Sequence, residues 1–350
     1  MSKGKNRLAD IYKAVGLPRL IIFLFLVFLC ILLPVMKMQV GLLFSQAISR
    51  VMMNVIMVLA MVPSIEAGIG MNYGMPLGII CGLLGGMLSL EFGFTGFSGF
   101  CIAYLIAVPF AILAGWGYGV ILNKVKGSES MIATYVGFSA VSFMCIVWMV
   151  IPVSNQSIKW PMGSGVRSSV SLSGTFYHVL DDFLKIQLTD NISIPTGLIL
   201  FVLLWCGIVA LFLRSRAGVI MKTAGANPKY AEAIGINTDR AHILGMIIST
   251  CLSALGILVY AQSYGFLEFY NAPLMVAFTA AAAVLIGGAS NKNATVINAL
   301  VGTVLFQSLL ALAMPVANEI MPEGNLAEVA RIIISNGIIL YALTKGGEKK

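Results

Sequence analysis

The sequence predicts an all-α, polytopic membrane protein with about ten transmembrane helices and both termini cytoplasmic. Three observations carry that expectation. Of the 350 residues, 59% are hydrophobic and 10% charged, where a soluble domain carries roughly a quarter charged. The apolar residues form continuous runs close to the roughly 20 that a helix needs to cross a hydrocarbon core, not the alternation of a barrel strand. Basic residues gather in every second loop, which assigns each loop to a side.

Residues 1–18 form a basic leader with Lys3, Lys5, Arg7 and Lys13, and Arg19 opens the first apolar run. The start resembles a signal peptide, but the run ends at Pro34–Lys37 without a small-residue cleavage pattern, so it reads as a retained anchor. Leu8, Ile11, Tyr12 and Val15 share one helical face, which suits a short helix on the cytoplasmic surface; a frayed tail is the alternative. The transmembrane domain covers 19–344, with spans expected at 19–36, 47–66, 72–91, 98–122, 131–152, 195–213, 241–264, 274–288, 294–314 and 327–344, and a tail at 345–350.

With the N-terminus inside, the inner loops hold Lys124 and Lys126, then Arg214, Arg216, Lys222, Lys229 and Arg240, then Lys292, then Lys345, Lys349 and Lys350. Together with the leader and Arg19 they hold 16 of the 22 basic residues. The outer segments hold Asp181, Asp182, Asp190, Glu268, Glu319 and Glu323. A missed helix would have scrambled this positive-inside bias. The net charge of +8 thus belongs to membrane orientation, with lipid and not nucleic acid as the partner. One polar stretch, 153–194, lies outside. It is too short for a domain and too polar to cross, which leaves a cap, a partner-docking loop or a solvated connector. The 214–240 loop lies inside.

No catalytic pattern is present. The chain lacks a G-x-x-x-x-G-K-[ST] phosphate loop and an H-E-x-x-H pair, and His178 and His242 are too far apart in sequence to suggest a metal site. No cofactor is expected on this chain. The six cysteines lie within apolar runs without a C-x-x-C pair and read as small buried side chains.

Two features can carry function. The first is a glycine ladder, Gly70, Gly74, Gly78, Gly82 and Gly86, preceded by Glu66. Small residues every fourth position let helices approach closely in lipid, and that accounts for Gly78, Gly82 and Gly86. The front is different, because Gly70, Asn72, Tyr73, Gly74 and Pro76 make a poor helix behind an acidic residue. Irregular backbone at membrane depth needs protein or a watery cavity around it, and such breaks mark substrate sites in transporters. Glu66, Gly70, Asn72, Tyr73 and Gly74 are therefore candidate substrate-pathway residues; an ordinary cytoplasmic turn with a solvated Glu66 is the alternative. A second ladder, Ala111, Gly115 and Gly119, reads as helix packing.

The second feature is 224–237, AGANPKYAEAIGIN. Asn227 suits an N-cap, Pro228 the first helical position and Gly235 the stop. The short helix between them carries Tyr230, Ala231, Glu232, Ala233 and Ile234. Such a helix is unstable alone in water, so its apolar face calls for a partner.

This stretch resembles the coupling loop of permeases in the branched-chain amino acid, ribose-type sugar and nucleoside group of ABC importers. That group shows a Gly-x-Asn-Pro-x-x-Ala-x-x-x-Gly-Ile pattern, matched by Gly225, Asn227, Pro228, Ala231, Gly235 and Ile236. Three further segments are similar to the group, in order: MNVIMVLAMVPSIEAGIGMNYG, LNKVKGSESMIATYVG and AAAVLIGGAS. The resemblance implies a multi-pass protein of a bacterial-type cytoplasmic membrane, working with a second permease copy or paralogue, cytosolic ATP-binding subunits that carry ATP and Mg, and an extracytoplasmic solute-binding protein. It implies that 227–236 transmits ATP-driven closure to an alternating-access pathway.

The resemblance implies a small polar, ribose-like solute. The Asp that sugar permeases of the group carry in the glycine turn is absent, while Glu66, Asn72 and Gly74 keep the spacing of nucleoside permeases; IGGAS leans toward sugars. Sugar and nucleoside both stay open, with a branched-chain amino acid third. A secondary transporter or channel without an ATPase, using Glu66 as an ion site, is the competing class.

Overall fold

The computed structural model describes residues 17–161, 163–189 and 192–320, and beyond them only 332, 333, 336 and 337. The apolar face of the leader, Asp190, Glu323 and the tail lie outside the described residues, as does almost all of the expected span 327–344.

Nine expected spans are helical. They are α1 (Leu17–Val35), α2 and α3 together (Val40–Leu59, Met61–Glu66), α4 (Pro76–Glu91), α5 (Gly96–Lys124), α6 (Glu129–Val150), α7 (Thr196–Arg214), α10 (Thr238–Tyr264), α11 (Ala272–Ile286) and α12 (Val296–Ile320). Six of these helices or helix pairs are long and apolar enough to cross a membrane, and three are shorter apolar helices. Between α7 and α10 lie two polar-loop helices, α8 (Arg216–Ala226) and α9 (Pro228–Ala233). The second span begins at Val40 and not near 47. Its first turns carry Ser45 and Gln46, which weaken the hydropathy signal but face protein and a cavity instead of lipid.

Burial sorts the helices. The most apolar stretch of Val40–Glu66 is 72% buried and that of α10 67%, against 28% for α5, 17% for α6 and 33% for α7. The first two form the middle of the bundle, and α10 packs on α5, α4 and α2. The outer helices turn Leu113, Phe143 and Leu211 outward, where a bilayer takes the place of water as the apolar surround. Both small-residue ladders are seams on α10. A Cβ on Gly78 or Gly82 would strike the α10 carbonyls of Thr250 and Ala254, and one on Gly115 or Gly119 would strike Thr250 and Ile243.

Tertiary contacts also divide the loops between two ends. A 27-residue α10 is about 40 Å long at 1.5 Å per residue, so the segments at its two ends are far apart. At its start, Lys126 pairs with Asp239 at 2.9 Å, Asn123 donates to the Asp239 carbonyl at 2.9 Å, and Gly68 meets Gly225. The 288–294 turn joins them through Gly70 and Asn291. This basic end gathers Arg19, Lys124, Lys126, Arg214, Arg216, Lys222, Lys229, Arg240 and Lys292. The Asp239 side chain, by hydrogen bonding, holds the Lys126 ammonium above its ordinary pKa.

The other end is capped by 153–194, which is a packed unit and not a solvated connector. Strand β1 (Ser169–Ser171) pairs antiparallel with β4 (Phe266–Glu268) just beyond α10, in the register Val170↔Leu267. Strands β2 (Ile186–Thr189) and β3 (Ile192–Ile194) form a second antiparallel pair. Ile158, Leu172 and Phe176 are fully buried beneath them. The Ser45 hydroxyl ties α2 to the Ser193 carbonyl at 2.5 Å, and Glu91 accepts from the backbone amides of Ser154 and Asn155 at 2.7 and 3.1 Å.

The order of parts repeats in opposite directions. Val40–Glu66 and Thr238–Tyr264 each span 27 residues. Each is followed by a non-helical or short-strand turn, then by a short apolar helix with Pro at its first or second position. The first turn, 67–75, lies at the basic end, and the second, 265–271, at the cap end. Transporters built from such inverted units place their substrate sites between the units.

Candidate functional site

At the basic end, α9 forms as its residues dictate. The Asn227 side chain accepts from the Tyr230 amide at 3.1 Å, Pro228 fills the first helical position, and Gly235 takes a φ of +85°, a conformation that glycine adopts without a Cβ penalty. Ala231 is fully buried, whereas Tyr230 and Ile234 are 56% and 53% exposed. Glu232 accepts from the Thr238 hydroxyl at 3.0 Å, and Ile236 packs on the small cluster of Ala224, Ala231 and Ala241. The result is a capped knuckle that presents two large apolar side chains.

Helix α8, inside the expected 214–240 loop, connects this knuckle to the core. Ser215 caps it, accepting from the Gly218 amide at 3.3 Å, and its buried face is Gly218, Met221 and Ala224. Lys222 reaches Glu66 at 3.4 Å. The other Glu66 oxygen accepts from the Ala294 amide at 2.8 Å. Gly225 lies against the Glu66 carbonyl and the Gly68 amide with no room for a Cβ. Glu66 is only 9% exposed. It is therefore not a solvated turn residue; it fastens α8, the end of α3 and the turn before α12 at one point.

The remaining candidate pathway residues pack against protein. Asn72 is fully buried. It donates to the Ser249 hydroxyl at 2.8 Å and accepts from the Tyr118 hydroxyl at 3.1 Å. Ser249 in turn donates to the Ala60 carbonyl at 2.6 Å, at the break between α2 and α3. Three residues on, Pro63 offers no amide to Leu59. Gly74 leaves room for the Tyr118 ring, and Gly70 for the Asn291 side chain. Tyr73 is half-buried, its ring 5.5 Å from that of Phe278 in α11.

Open space lies elsewhere. A cavity of about 330 Å³ is walled by Arg50, Met53, Asn54 and Met57 of α2, Ile257, Tyr260 and Tyr264 of α10, Glu268 of β4, Ala272, Val276 and Thr279 of α11, and Gln307 and Leu310 of α12. Each helix contributes positions three or four apart, one face apiece. Tyr260 and Tyr264 stack with ring centroids 5.4 Å apart. Arg50, Met53 and Tyr264 also line a second cavity of about 650 Å³ under the cap, so the two adjoin. A tyrosine pair with one cation, one carboxylate and two side-chain amides suits a small solute with a flat face and polar edges.

The family model described as branched-chain amino acid transport system / permease component matches residues 37–342 of the chain. The chain belongs to this family. The permease is also 23% identical, over 251 residues, to the nucleoside ABC transporter permease protein NupB of Lactococcus lactis subsp. cremoris. That match covers 69% of the permease and 65% of the relative, just under two thirds of the relative's length. No solved structure matches significantly.

The permease is a multi-pass membrane protein of a transport-system permease family. Two residues inside the expected spans 47–66 and 294–314 signal the cavity. Arg50 is a charge inside an apolar run, and Gln307 is a buried amide in another; polar groups at such depth mark functional sites. Tyr260 and Tyr264 carried no such mark, because tyrosine in an apolar helix is ordinary.

Proposed function

We propose that the permease is the membrane subunit of an ATP-driven importer, with its basic end in the cytoplasm and α9 docked on an ATP-binding subunit that holds ATP and Mg. The observation that carries this reading is the α9 knuckle. A six-residue helix with exposed Tyr230 and Ile234 has no stability of its own, yet it is held rigid through α8 and the Glu66–Lys222 contact. Movement imposed on Tyr230 and Ile234 would pass along α8 to Glu66 and reach both inner turns together. Asn227, Pro228, Ala231, Glu232, Gly235 and Ile236 shape and seat the knuckle. The bias of basic residues supports the orientation, in a bacterial-type cytoplasmic membrane.

The solute proposed is a nucleoside, delivered by a binding protein at the cap end to the pair formed by this permease and a second copy or paralogue. It would pass the Tyr260–Tyr264 cavity, where an aromatic face can stack. Glu66, Gly70, Asn72, Tyr73 and Gly74 would then form the inner floor that alternating access opens. The NupB likeness supports the nucleoside over a sugar. A second reading has one observation in its favour: Arg50 and Glu268 around one cavity also suit the two charges of a branched-chain amino acid.

The test is co-purification. Tyr230→Asp with Ile234→Asp is expected to abolish recovery of the ATP-binding subunit with the permease and to stop uptake, while the permease still elutes as a single folded species. Uptake that persists without any ATP-binding subunit would establish a secondary transporter instead. A binding screen of nucleosides, pentoses and leucine against the cognate binding protein separates the solute readings.

A further inference from the structure

Gln307 lies near the middle of the 25-residue α12 and is only 9% exposed. The surface it keeps lies on the cavity of about 330 Å³. Among the described residues its side-chain amide makes no hydrogen bond, and neither amide atom is sealed off from that space. A polar side chain that holds membrane helices together bonds across to a neighbour, as Asn72 does to Ser249 and Tyr118. Gln307 does not, and an amide left unpaired at such depth is costly. Polar groups kept there mark functional sites.

The other walls set the chemistry of the guest. Arg50, which only donates, and Glu268, which when ionised only accepts, line the same cavity. Among the described residues neither has an ion-pair partner. Such a lining turns away a lipid chain, which would leave all three polar groups unpaired. The stacked rings of Tyr260 and Tyr264 suit a flat face. A carboxamide sets an N–H donor beside a carbonyl acceptor in one plane, and its complement is a planar edge with an acceptor beside a donor. Nucleobases carry that edge: a carbonyl beside a ring N–H in uracil, a ring nitrogen beside an amino group in adenine. Turning the amide over serves either order.

We propose that Gln307 is a specificity-determining residue, pairing through both amide atoms with the donor–acceptor edge of a nucleobase stacked in this cavity. This rests on the nucleoside reading above. One side chain then admits pyrimidine and purine nucleosides alike and refuses a base whose edge is blocked.

The complete importer, with its ATP-binding and solute-binding partners, is reconstituted in liposomes. Uptake of uridine is compared with that of 3-methyluridine, whose ring N–H is blocked, each at the concentration that half-saturates the binding protein. The same binding protein serves wild type and variant, so a changed ratio reports the permease. Gln307→Met keeps the side chain's length and removes its amide. It is expected to lower the uridine-to-3-methyluridine rate ratio by about tenfold, the worth of one lost hydrogen bond. The 3-methyluridine rate and the melting temperature should hold, because no bond within the protein is broken. An unchanged ratio with uridine uptake intact overturns the pairing alone. A parallel fall of both rates, or a lowered melting temperature, makes Gln307 part of the helix packing and also overturns it. A wild-type importer that moves neither uridine nor adenosine overturns the nucleoside reading, and the pairing with it.

Discussion

The turn after Glu66 and the turn after Tyr264 are built on one plan and end in opposite conditions. Each follows a long buried helix and precedes a short apolar helix headed by proline. In the first, every residue from Ile69 to Met75 except the half-buried Tyr73 is buried, and Asn72 is bonded on both sides. In the second, Tyr264, Phe266 and Asn271 are exposed, and Tyr264, Glu268 and Ala272 face a cavity. The difference lies in what each turn meets. The first is pressed between α5, α8 and α10, whereas the second is packed on one side by β1, Tyr177 and Trp148 and open to the cavity on the other. One plan thus yields a closely packed turn at the basic end and a cavity-facing turn at the cap end.

The largest effect is expected where the closed turn touches α8. Gly225→Val drives a branched side chain into the Glu66 carbonyl and the Gly68 amide, both of them backbone that cannot swing aside. A destabilisation of about 3 kcal/mol is expected, seen as a lowered melting temperature of the purified permease and lost uptake. If Gly225→Val keeps both, the tight junction is not what couples α8 to the turn.

Asn72→Leu comes next. It leaves the Tyr118 hydroxyl without its acceptor and Ser249 without a donor, a cost of about 2 kcal/mol for buried unpaired groups. The melting temperature should fall by several degrees. Tyr264→Ala, at the open turn, is expected to reverse the pattern: uptake falls about tenfold, the worth of one lost stacking face, with stability little changed. Asn271→Leu should be the mildest, within about 0.5 kcal/mol, because that exposed side chain makes no cap bond. Comparable melting losses for Asn72→Leu and Asn271→Leu would erase the contrast between the turns.

The sequence alone determined what neighbours along the chain dictate. The apolar runs placed nine helices, and the basic loops sorted themselves to one end. Asn227, Pro228 and Gly235 defined a capped helix whose start, first turn and stop all came out as read. Capping and hydropathy act within a few residues, so they are legible locally. Tertiary structure decided the rest. Glu66 meets an amide 228 residues away, Asn72 a hydroxyl 177 away, and the cavity gathers one face from each of four helices. Whether a polar side chain in an apolar run is locked, coupled or open to solute depends on which distant backbone packs beside it, and only the folded bundle supplies that neighbour.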